Sequence, residues 1–280
     1  MADNSIAQTK SLLRAAVERC LSTSPRMPVI FGLAGAQGSG KSTLAQTLSE
    51  QLNAEGRIAA CISLDDFYLS RADRRRLAAR VHPLFVTRGP PGTHDIPAAL
   101  AFFADIKSGK QATAPQFDKA LDEPAPPDRG KTIPAGLEVF IFEGWCLGAR
   151  PQCPQALDEP INMLEAVYDR DGVWRRAVNG ALGGAYQALF SEIDALIYLK
   201  APTFEIVSRW RAEQEAALKA RLSSERRAVL MRPDEIAFFI QHYERITRSM
   251  MIDLPGRADL TFELDDRRRV VDAIMLSEIH

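Results

Sequence analysis

Short runs of apolar residues recur along the chain and alternate with longer segments of mixed polarity. These runs are too short for ordinary helices, and continuous apolar character is typical of strands buried on both faces of a parallel sheet. They cover residues 29–35, 57–64, 137–145, 194–200 and 258–264. The last run alternates in part, which predicts a strand at the edge of the sheet.

Apolar residues recur at helical spacing in most of the segments between these runs. The predicted helices cover 5–22, a segment that begins near Gly40, and 96–108, 173–191, 203–222, 233–250 and 267–278. Strands that alternate with helices predict the α/β class, with a mainly parallel sheet of about five strands. We therefore expect a three-layer α/β/α sandwich.

Two long intervals, 66–95 and 111–135, interrupt this alternation. Intervals of such length in a compact domain are usually binding loops or lids. The second is rich in proline and charge, so a disordered surface insertion remains the alternative there. The arginine-rich segment 71–80 is predicted to form a solvated helix face. We expect one domain over 1–280, with an N-terminal helix in 1–24, insertions in 66–135 and a helical lid in 203–232.

The composition excludes several classes of protein. The chain has 280 residues, of which 46% are hydrophobic, and its 35 basic and 36 acidic residues nearly cancel, so no nucleic-acid partner is expected. No apolar run approaches about 20 residues, so no membrane span is expected, and the N-terminus lacks a signal pattern. The four cysteines show no zinc or disulfide spacing. These features predict a cytoplasmic protein.

A phosphate-binding pattern stands out at residues 35–42, where Gly-Ala-Gln-Gly-Ser-Gly-Lys-Ser matches G-x-x-x-x-G-K-[ST] in full. A predicted strand precedes it and a predicted helix follows, as such a cradle requires. The glycines let backbone N–H groups point at phosphate oxygens, and the helix adds the positive end of its dipole. We expect Lys41 to reach the β and γ phosphates of ATP and Ser42 to ligate Mg²⁺. The predicted nucleotide contacts are Gly35, Ala36, Gln37, Gly38, Ser39, Gly40, Lys41, Ser42 and Thr43.

Carboxylates follow two of the predicted strands. Glu143 ends a buried strand, where a carboxylate is costly unless Mg²⁺ or an arginine pairs with it, and both partners remain open. Asp65 lies where the second strand leaves the sheet, so it is the candidate base for an acceptor hydroxyl and a candidate metal ligand. Neighbouring side chains point to opposite faces, so Asp66 should differ in role and contact the acceptor, shape the turn or reach Mg²⁺ through water. Alternatively, both acids only shape the turn.

A rigid Pro-Pro-Gly turn lies within residues 88–95, flanked by Arg88, His94 and Asp95. A cation and an imidazole on a rigid turn suit a small anionic acceptor. Three alternatives remain: Arg88 as a surface charge, His94 as an ordinary loop histidine, and Asp95 as the cap of the helix that follows. Further candidate acceptor contacts are Tyr68, Lys119 and Trp145, with Phe67 expected beside Tyr68; Lys119 could equally be a solvated lysine.

Arg209 and Arg211 lie on the predicted helix that follows the fourth strand. A guanidinium stays charged and binds oxygens in a fork, which suits a group that reaches the transferring phosphoryl from a lid. The alternative is that each arginine pairs on the helix surface with a glutamate four residues later, Glu213 or Glu215.

The assembled motifs resemble those of the D-glycerate 3-kinases of plants, fungi and bacteria. That family is related to uridine kinase, phosphoribulokinase and bacterial pantothenate kinase. The matching pieces are GAQGSGKST (35–43), SLDDFYLS (63–70), HPLFVTRGPPGTHD (82–95), PQFDK (115–119), FEGWCLG (142–148), AVNGALGGAYQALF (177–190) and WRAEQE (210–215). The first two are common to the wider kinase group, whereas RGPPGTHD, FDK and FEGWCLG are narrower.

The resemblance implies a single P-loop kinase domain that phosphorylates D-glycerate to 3-phosphoglycerate with ATP and Mg²⁺. It places the base at Asp65 and implies that Arg88, His94 and Lys119 hold the carboxylate of the acceptor. The expected partner is a small molecule, for a chain that is a monomer or a homodimer. Two alternatives remain open: a kinase for another acceptor, such as pantothenate or a nucleoside, and a nucleotide-dependent switch or assembly ATPase.

Overall fold

The computed structural model describes residues 2–24, 27–221 and 231–276. The α-helices of the described residues are α1 (Ala2–Thr23), α2 (Lys41–Ala54), α3 (Arg71–Arg80), α4 (Ile96–Lys107), α5 (Met163–Tyr168), α6 (Val173–Ala181), α7 (Gln187–Phe190), α8 (Phe204–Arg221) and α9 (Pro233–Asp253). A π-helical segment, Leu182–Tyr186, joins α6 to α7, and short 3₁₀ turns lie between other elements. Among the helices described, none is long and apolar enough to cross a membrane.

The strands are β1 (Val29–Gly35), β2 (Ala59–Ser63), β3 (Ala112–Ala114), β4 (Phe117–Asp118), β5 (Glu123–Pro124), β6 (Lys131–Ile133), β7 (Val139–Gly144), β8 (Ala195–Lys200), β9 (Leu260–Leu264) and β10 (Val270–Met275). Six of them form one sheet in the order β10-β9-β8-β1-β7-β2. Along this order, the four neighbouring pairs β9–β8, β8–β1, β1–β7 and β7–β2 are parallel. The predicted α/β sandwich with a mainly parallel sheet is therefore confirmed.

The register of the central strands aligns their carboxyl ends. Ala34 of β1 lies opposite Gly144 of β7, and Ser63 of β2 lies opposite Glu143. In β1 and β7 every residue is buried, because helices cover both faces. The phosphate-binding pattern, the Asp65–Asp66 pair and Glu143 consequently meet at one edge of the sheet, where ligands bind in open α/β folds.

Two predictions at the C-terminal end are wrong. The predicted helix 267–278 is not formed over 267–276, the part of it that the structure describes, because β10 pairs antiparallel with β9 as a sixth strand of the sheet. The Asp265 carboxylate accepts the backbone N–H groups of Arg267 and Arg269, and the Asp265 N–H donates to the Arg269 carbonyl. These bonds build a tight turn. The partly alternating β9 is therefore an inner strand, and β10 lies at the edge.

The two long intervals are folded. Interval 111–135 forms two antiparallel pairs, β3 with β6 and β4 with β5. Interval 66–95 contains α3, which is solvated along one face as predicted but buries Arg74 and Ala78 on the other. Arg74 is only 1% exposed, because its guanidinium bonds to carbonyls from three other segments. In the predicted lid 203–232, residues 222–230 lie outside the described part of the chain.

Candidate active site

The phosphate cradle joins β1 to α2 through two glycines with left-handed backbones, Gly38 at φ +77° and Gly40 at φ +96°. The Gln37 Oε1 and Ser39 Oγ atoms are buried without a hydrogen-bond partner. Buried polar atoms normally have partners, so these two point to a ligand that supplies them. Lys41 Nζ donates to the Ala36 carbonyl at 3.2 Å, at the foot of the cradle.

Ser42 and Glu143 are in direct contact beside the cradle. The Ser42 hydroxyl donates to Glu143 Oε1 at 2.8 Å, and no arginine in the described part of the chain pairs with Glu143, which was the alternative. A cavity of about 190 Å³ adjoins this pair, and Asp66, Gln116 and Lys131 also line it. Burial raises the pKa of Asp66 above its ordinary value. Gln116 and Lys131 were not predicted as site residues, because nothing in the local sequence marks Gln116, just before β4, or Lys131, the first residue of β6.

The residues present fit a magnesium ion. No group of three or more His, Cys, Asp and Glu side chains among the described residues forms a metal cluster. Mg²⁺ in kinase sites needs only one or two carboxylates, because waters and substrate phosphates complete its shell. Glu143, Asp66 and the Ser42 hydroxyl line one cavity and meet that requirement.

The two adjacent aspartates separate to different surroundings. Ser63 caps the 3₁₀ turn Leu64–Phe67, and the Asp66 carboxylate accepts the Ser63 N–H in return. Asp65 turns the other way, where Lys119 Nζ and the Tyr68 hydroxyl each donate to it at 2.7 Å. Asp66 therefore lies with Ser42 and Glu143, and Asp65, which was a candidate metal ligand, has both carboxylate oxygens engaged elsewhere.

The charge state of Asp65 follows from these contacts. Burial alone would raise its pKa, but the charge and hydrogen bond of Lys119, with the hydrogen bond from Tyr68, outweigh burial and hold the pKa well below its usual range. Asp65 in turn raises the pKa of Lys119. The pair is thus ionised across the physiological range.

His94 is a neutral, enclosed imidazole. Its ring stacks on Tyr68 with centroids 4.5 Å apart, and Nδ1 lies 2.6 Å from the Tyr186 hydroxyl. Burial lowers its pKa to about 4. Its Nε2 is buried without a partner. The contact of His94 with the acceptor stays a prediction, and at neutral pH the imidazole would make it as a neutral N–H donor.

Arg88 faces the turn between β4 and β5. Its Nη1 donates to Asp122 Oδ1 at 2.5 Å, and its guanidinium lies 5.7 Å from the centre of the Phe117 ring. Asp122 also accepts from the buried Arg74 at 2.7 Å. The alternative of a free surface charge does not describe Arg88, which is held beside Lys119 by one short turn.

The Pro-Pro-Gly turn is packed against α9. Tyr243 donates its hydroxyl to the Arg88 carbonyl at 3.0 Å, and Trp145 Nε1 donates to the Gly89 carbonyl at 3.1 Å. Gly89 has φ +120°, and a Cβ there would lie 1.9 Å from the Tyr243 oxygen, so only glycine fits. Trp145, a candidate acceptor contact, is only 3% exposed, and its indole N–H is already bonded to this turn.

Two further residues have structural roles. The Asp95 side chain accepts the Ala98 N–H at 3.0 Å and caps α4, so the capping alternative is confirmed. Phe67 packs between Phe102 and Phe142 in the core, with ring centroids at 5.9 and 6.5 Å. The expectation that Phe67 borders the acceptor pocket is wrong, because the 3₁₀ turn points its side chain inward.

Both lid candidates are paired on α8. Arg211 Nη1 lies 2.7 Å from Glu215, and Arg209 lies 3.6 Å from Glu213 and donates to the Asp266 carbonyl at 2.7 Å. The pairing alternative is therefore observed for both. Arg211 also lies over the Phe239 ring at 5.7 Å, toward α9 and the Pro-Pro-Gly turn, whereas Arg209 points toward the turn between β9 and β10.

Similarity to known proteins, in sequence and in fold, identifies the family of the chain. No model of a protein family matches the chain. The chain is 36% identical over 232 residues to an uncharacterised kinase, mug58, of Schizosaccharomyces pombe, covering 77% of this chain and 78% of that protein. A solved D-glycerate 3-kinase of Cryptococcus neoformans superposes with a TM-score of 0.80 at 25% identity, over 96% of this chain and 98% of the other. The chain belongs to the D-glycerate 3-kinase family of P-loop kinases.

Membership of this family makes the chain a nucleotide-binding kinase. The chloroplastic D-glycerate 3-kinase of Arabidopsis thaliana is 26% identical over 262 residues, which are 87% of this chain and 54% of the plant protein. A pantothenate kinase of Nocardioides is 32% identical over 123 residues, 43% of this chain and 35% of that enzyme.

Proposed function

We propose that the chain transfers the γ-phosphoryl group of ATP to the 3-hydroxyl of D-glycerate. The observation that carries this proposal is the placement of an ionised Asp65 between a cationic acceptor side, with Lys119 and Arg88, and the phosphate cradle. The similar proteins described above include two that are named D-glycerate 3-kinase, and the solved structure of one of them superposes on nearly the whole chain.

The chemistry at the acceptor follows from Asp65. The hydroxyl oxygen of the acceptor attacks the γ phosphorus, the bond to the β–γ bridging oxygen breaks, and the hydroxyl proton passes to Asp65 as ADP leaves. A carboxylate with a lowered pKa is a weak base, but phosphoryl transfer needs little proton removal before the new bond forms. The first requirement on Asp65 is therefore to be ionised and aimed at the hydroxyl.

The remaining residues bind and orient. Lys41 and the inward N–H groups of the cradle hold the phosphates, and Arg211 is the better placed of the two lid arginines because it faces the acceptor side. Arg88 and Lys119 hold the carboxylate of the acceptor. Ser42, Glu143 and Asp66 would hold Mg²⁺, which when bound neutralises charge on the β and γ phosphates.

The test is an acceptor panel. Purified protein is assayed for ADP release with ATP, magnesium and, in turn, D-glycerate, L-glycerate, pantothenate and uridine, and phosphorus NMR locates the phosphoryl group on the product. We expect turnover that depends on D-glycerate and gives the 3-phosphate. Faster turnover of pantothenate would assign the other acceptor named among the relatives, and nucleotide binding without turnover of any acceptor would contradict kinase chemistry on small hydroxy acids.

A further inference from the structure

Arg268 reaches the phosphate cradle from the turn between β9 and β10. Its Nε donates to the Gly38 carbonyl at 2.5 Å, and its Nη2 lies 2.7 Å from Glu213 Oε2. Its guanidinium lies over the Trp210 ring, 5.0 Å from the ring centre. Arg268 has φ +65°, a left-handed conformation that non-glycine residues rarely adopt, so the turn holds this side chain at a local cost.

The tip of the cradle is enclosed on the same side by α8. Gly38 has φ +77°, and a Cβ on it would lie 2.7 Å from the Cβ of Trp210. Trp210 is fully buried, and its indole N–H donates to the Asp266 carbonyl at 2.9 Å. Gly38 is therefore held between α8 and the turn that carries Arg268.

The contact with Gly38 fixes the orientation of one peptide plane. The Gly38 carbonyl and the Ser39 N–H belong to the same planar trans peptide, so they point in opposite directions. With Arg268 on the carbonyl, the N–H points into the loop, where it donates to the Ala36 carbonyl at 3.2 Å; a bound phosphate oxygen would take the place of that carbonyl as its acceptor. A cradle binds phosphate through inward N–H groups, and a charged donor makes a strong hydrogen bond.

We propose that Arg268 is a positioning residue for the nucleotide, which keeps the Gly38–Ser39 peptide in its phosphate-binding orientation by holding the Gly38 carbonyl from outside the loop. The inference rests on the proposed use of ATP by this cradle. It assigns a role in phosphate binding to a residue from the far end of the chain, 230 positions from the carbonyl that it contacts.

The test is calorimetric binding of magnesium–ATP to the whole chain without acceptor, for wild type and Arg268→Met. Losing one charge-assisted hydrogen bond should weaken binding about tenfold. Arg267→Met is the matched control, because it removes the same charge from the exposed neighbour in the same turn, and its Kd should stay within about twofold of wild type. Arg268→Gly should lose as much affinity as Arg268→Met, although glycine relieves the φ of +65°.

Hydrogen exchange of the unliganded protein gives a second readout. In Arg268→Met, amides of residues 36–41 should exchange faster, whereas those of β1 and β7 should be unchanged. Unchanged ATP affinity in Arg268→Met, full affinity in Arg268→Gly, or a loss in Arg267→Met as large as in Arg268→Met would each overturn the inference alone. A wild-type protein that binds no ATP would overturn the proposed function and this inference together.

Discussion

At the scale of single residues, the proposed acceptor site depends on the different directions in which the side chains of the adjacent Asp65 and Asp66 point. A 3₁₀ turn directly after β2 sends Asp66 back to the Ser63 N–H and Asp65 out to Lys119 and Tyr68. Adjacency on a strand already indicates that the two acids differ, because alternate side chains face opposite ways. Which acid meets the lysine depends on an insertion about fifty residues later in the chain, and no local pattern specifies that contact.

Replacing Asp65 by Asn tests its role as the group that accepts the acceptor proton. We expect kcat to fall by about a thousandfold or more, because general-base groups contribute about 10²–10⁴ in rate and the amide also loses the ionic hold on Lys119. The Kd for ATP, measured by calorimetry, should change less than about twofold. Asp128→Asn, at an exposed position in the same acceptor-side region, serves as the control and should retain full activity. A fully active Asp65→Asn protein would remove Asp65 from this role.

The pH dependence of the reaction should reveal the ion pair. Because Lys119 holds the pKa of Asp65 down, the ionised form persists as the pH falls and is lost only below the usual range of a carboxyl. In Lys119→Gln, Asp65 remains buried but loses the opposing charge of the lysine, so the pKa of Asp65 should rise. We expect the acid limb of kcat/KM against pH to move to higher pH.

Lys110→Gln, which removes an exposed lysine, is the control for that profile and should leave the acid limb in place. An unshifted limb in Lys119→Gln would show that Asp65 does not govern the acid side of the reaction.

At the scale of elements, the apolar runs predict the five parallel strands closely, and only the edge position expected for β9 is wrong. The sixth strand escapes prediction because apolar residues in 267–278 recur at a spacing that also suits a helix. The competing signal is the turn at Asp265, whose side chain takes two backbone N–H groups. Such side-chain capping depends on geometry that periodicity does not contain.

Arg74 shows a second limit of the sequence. Composition predicts a solvated helix for α3, and most of its arginines are exposed, but Arg74 faces inward and anchors the turn between β4 and β5 through Asp122. The burial of Arg74 is a tertiary effect, because it depends on contacts of α3 with the 85–89 region and with the second insertion. No pattern within the ten residues of α3 distinguishes Arg74 from its neighbours.

Arg74→Met should destabilise the insertion as an element. The change leaves three carbonyls without their donor and removes one of the guanidinium partners of Asp122, so we expect the free energy of unfolding to fall by about 3 kcal/mol. The KM for the acceptor should rise because the turn that carries Lys119 and Asp122 loosens. Arg75→Met, at the exposed neighbouring position, is the control. Equal stability of the two variants in urea unfolding would contradict an anchoring role for Arg74.

At the scale of the whole molecule, two buried histidines make stability depend on pH. Burial lowers the pKa of His94 and of His242 to about 4 each. The unfolded chain binds protons at these residues below about pH 6.5, whereas the folded chain keeps them neutral until about pH 4. Stability should therefore fall as the pH is lowered through this window, by up to about 3 kcal/mol for each histidine.

Denaturant unfolding at several pH values checks this expectation. His242 packs among Trp174, Phe238 and Phe239, away from the cradle, so His242→Phe is a suitable variant. It should show a shallower loss of stability between pH 6.5 and 4 than wild type, with ATP binding retained at neutral pH. An identical slope in the two proteins would exclude His242 as a source of the acid sensitivity.

The two insertions between β2 and β7 have a consequence for how such kinases diverge. Asp65, Arg88, Lys119 and Asp122 all come from residues 64–124, whereas the cradle is built by β1, α2 and the contacts of α8 and the β9–β10 turn. The proposed acceptor residues are thus encoded apart from the cradle, whereas Asp66, from the same interval, lines the proposed magnesium cavity with Ser42 and Glu143. Under the proposed function, mutations around Arg88, Lys119 and Asp122 would alter the choice of acceptor while the cradle is inherited intact, which gives evolution, or a designer, a short interval in which new acceptors can be explored.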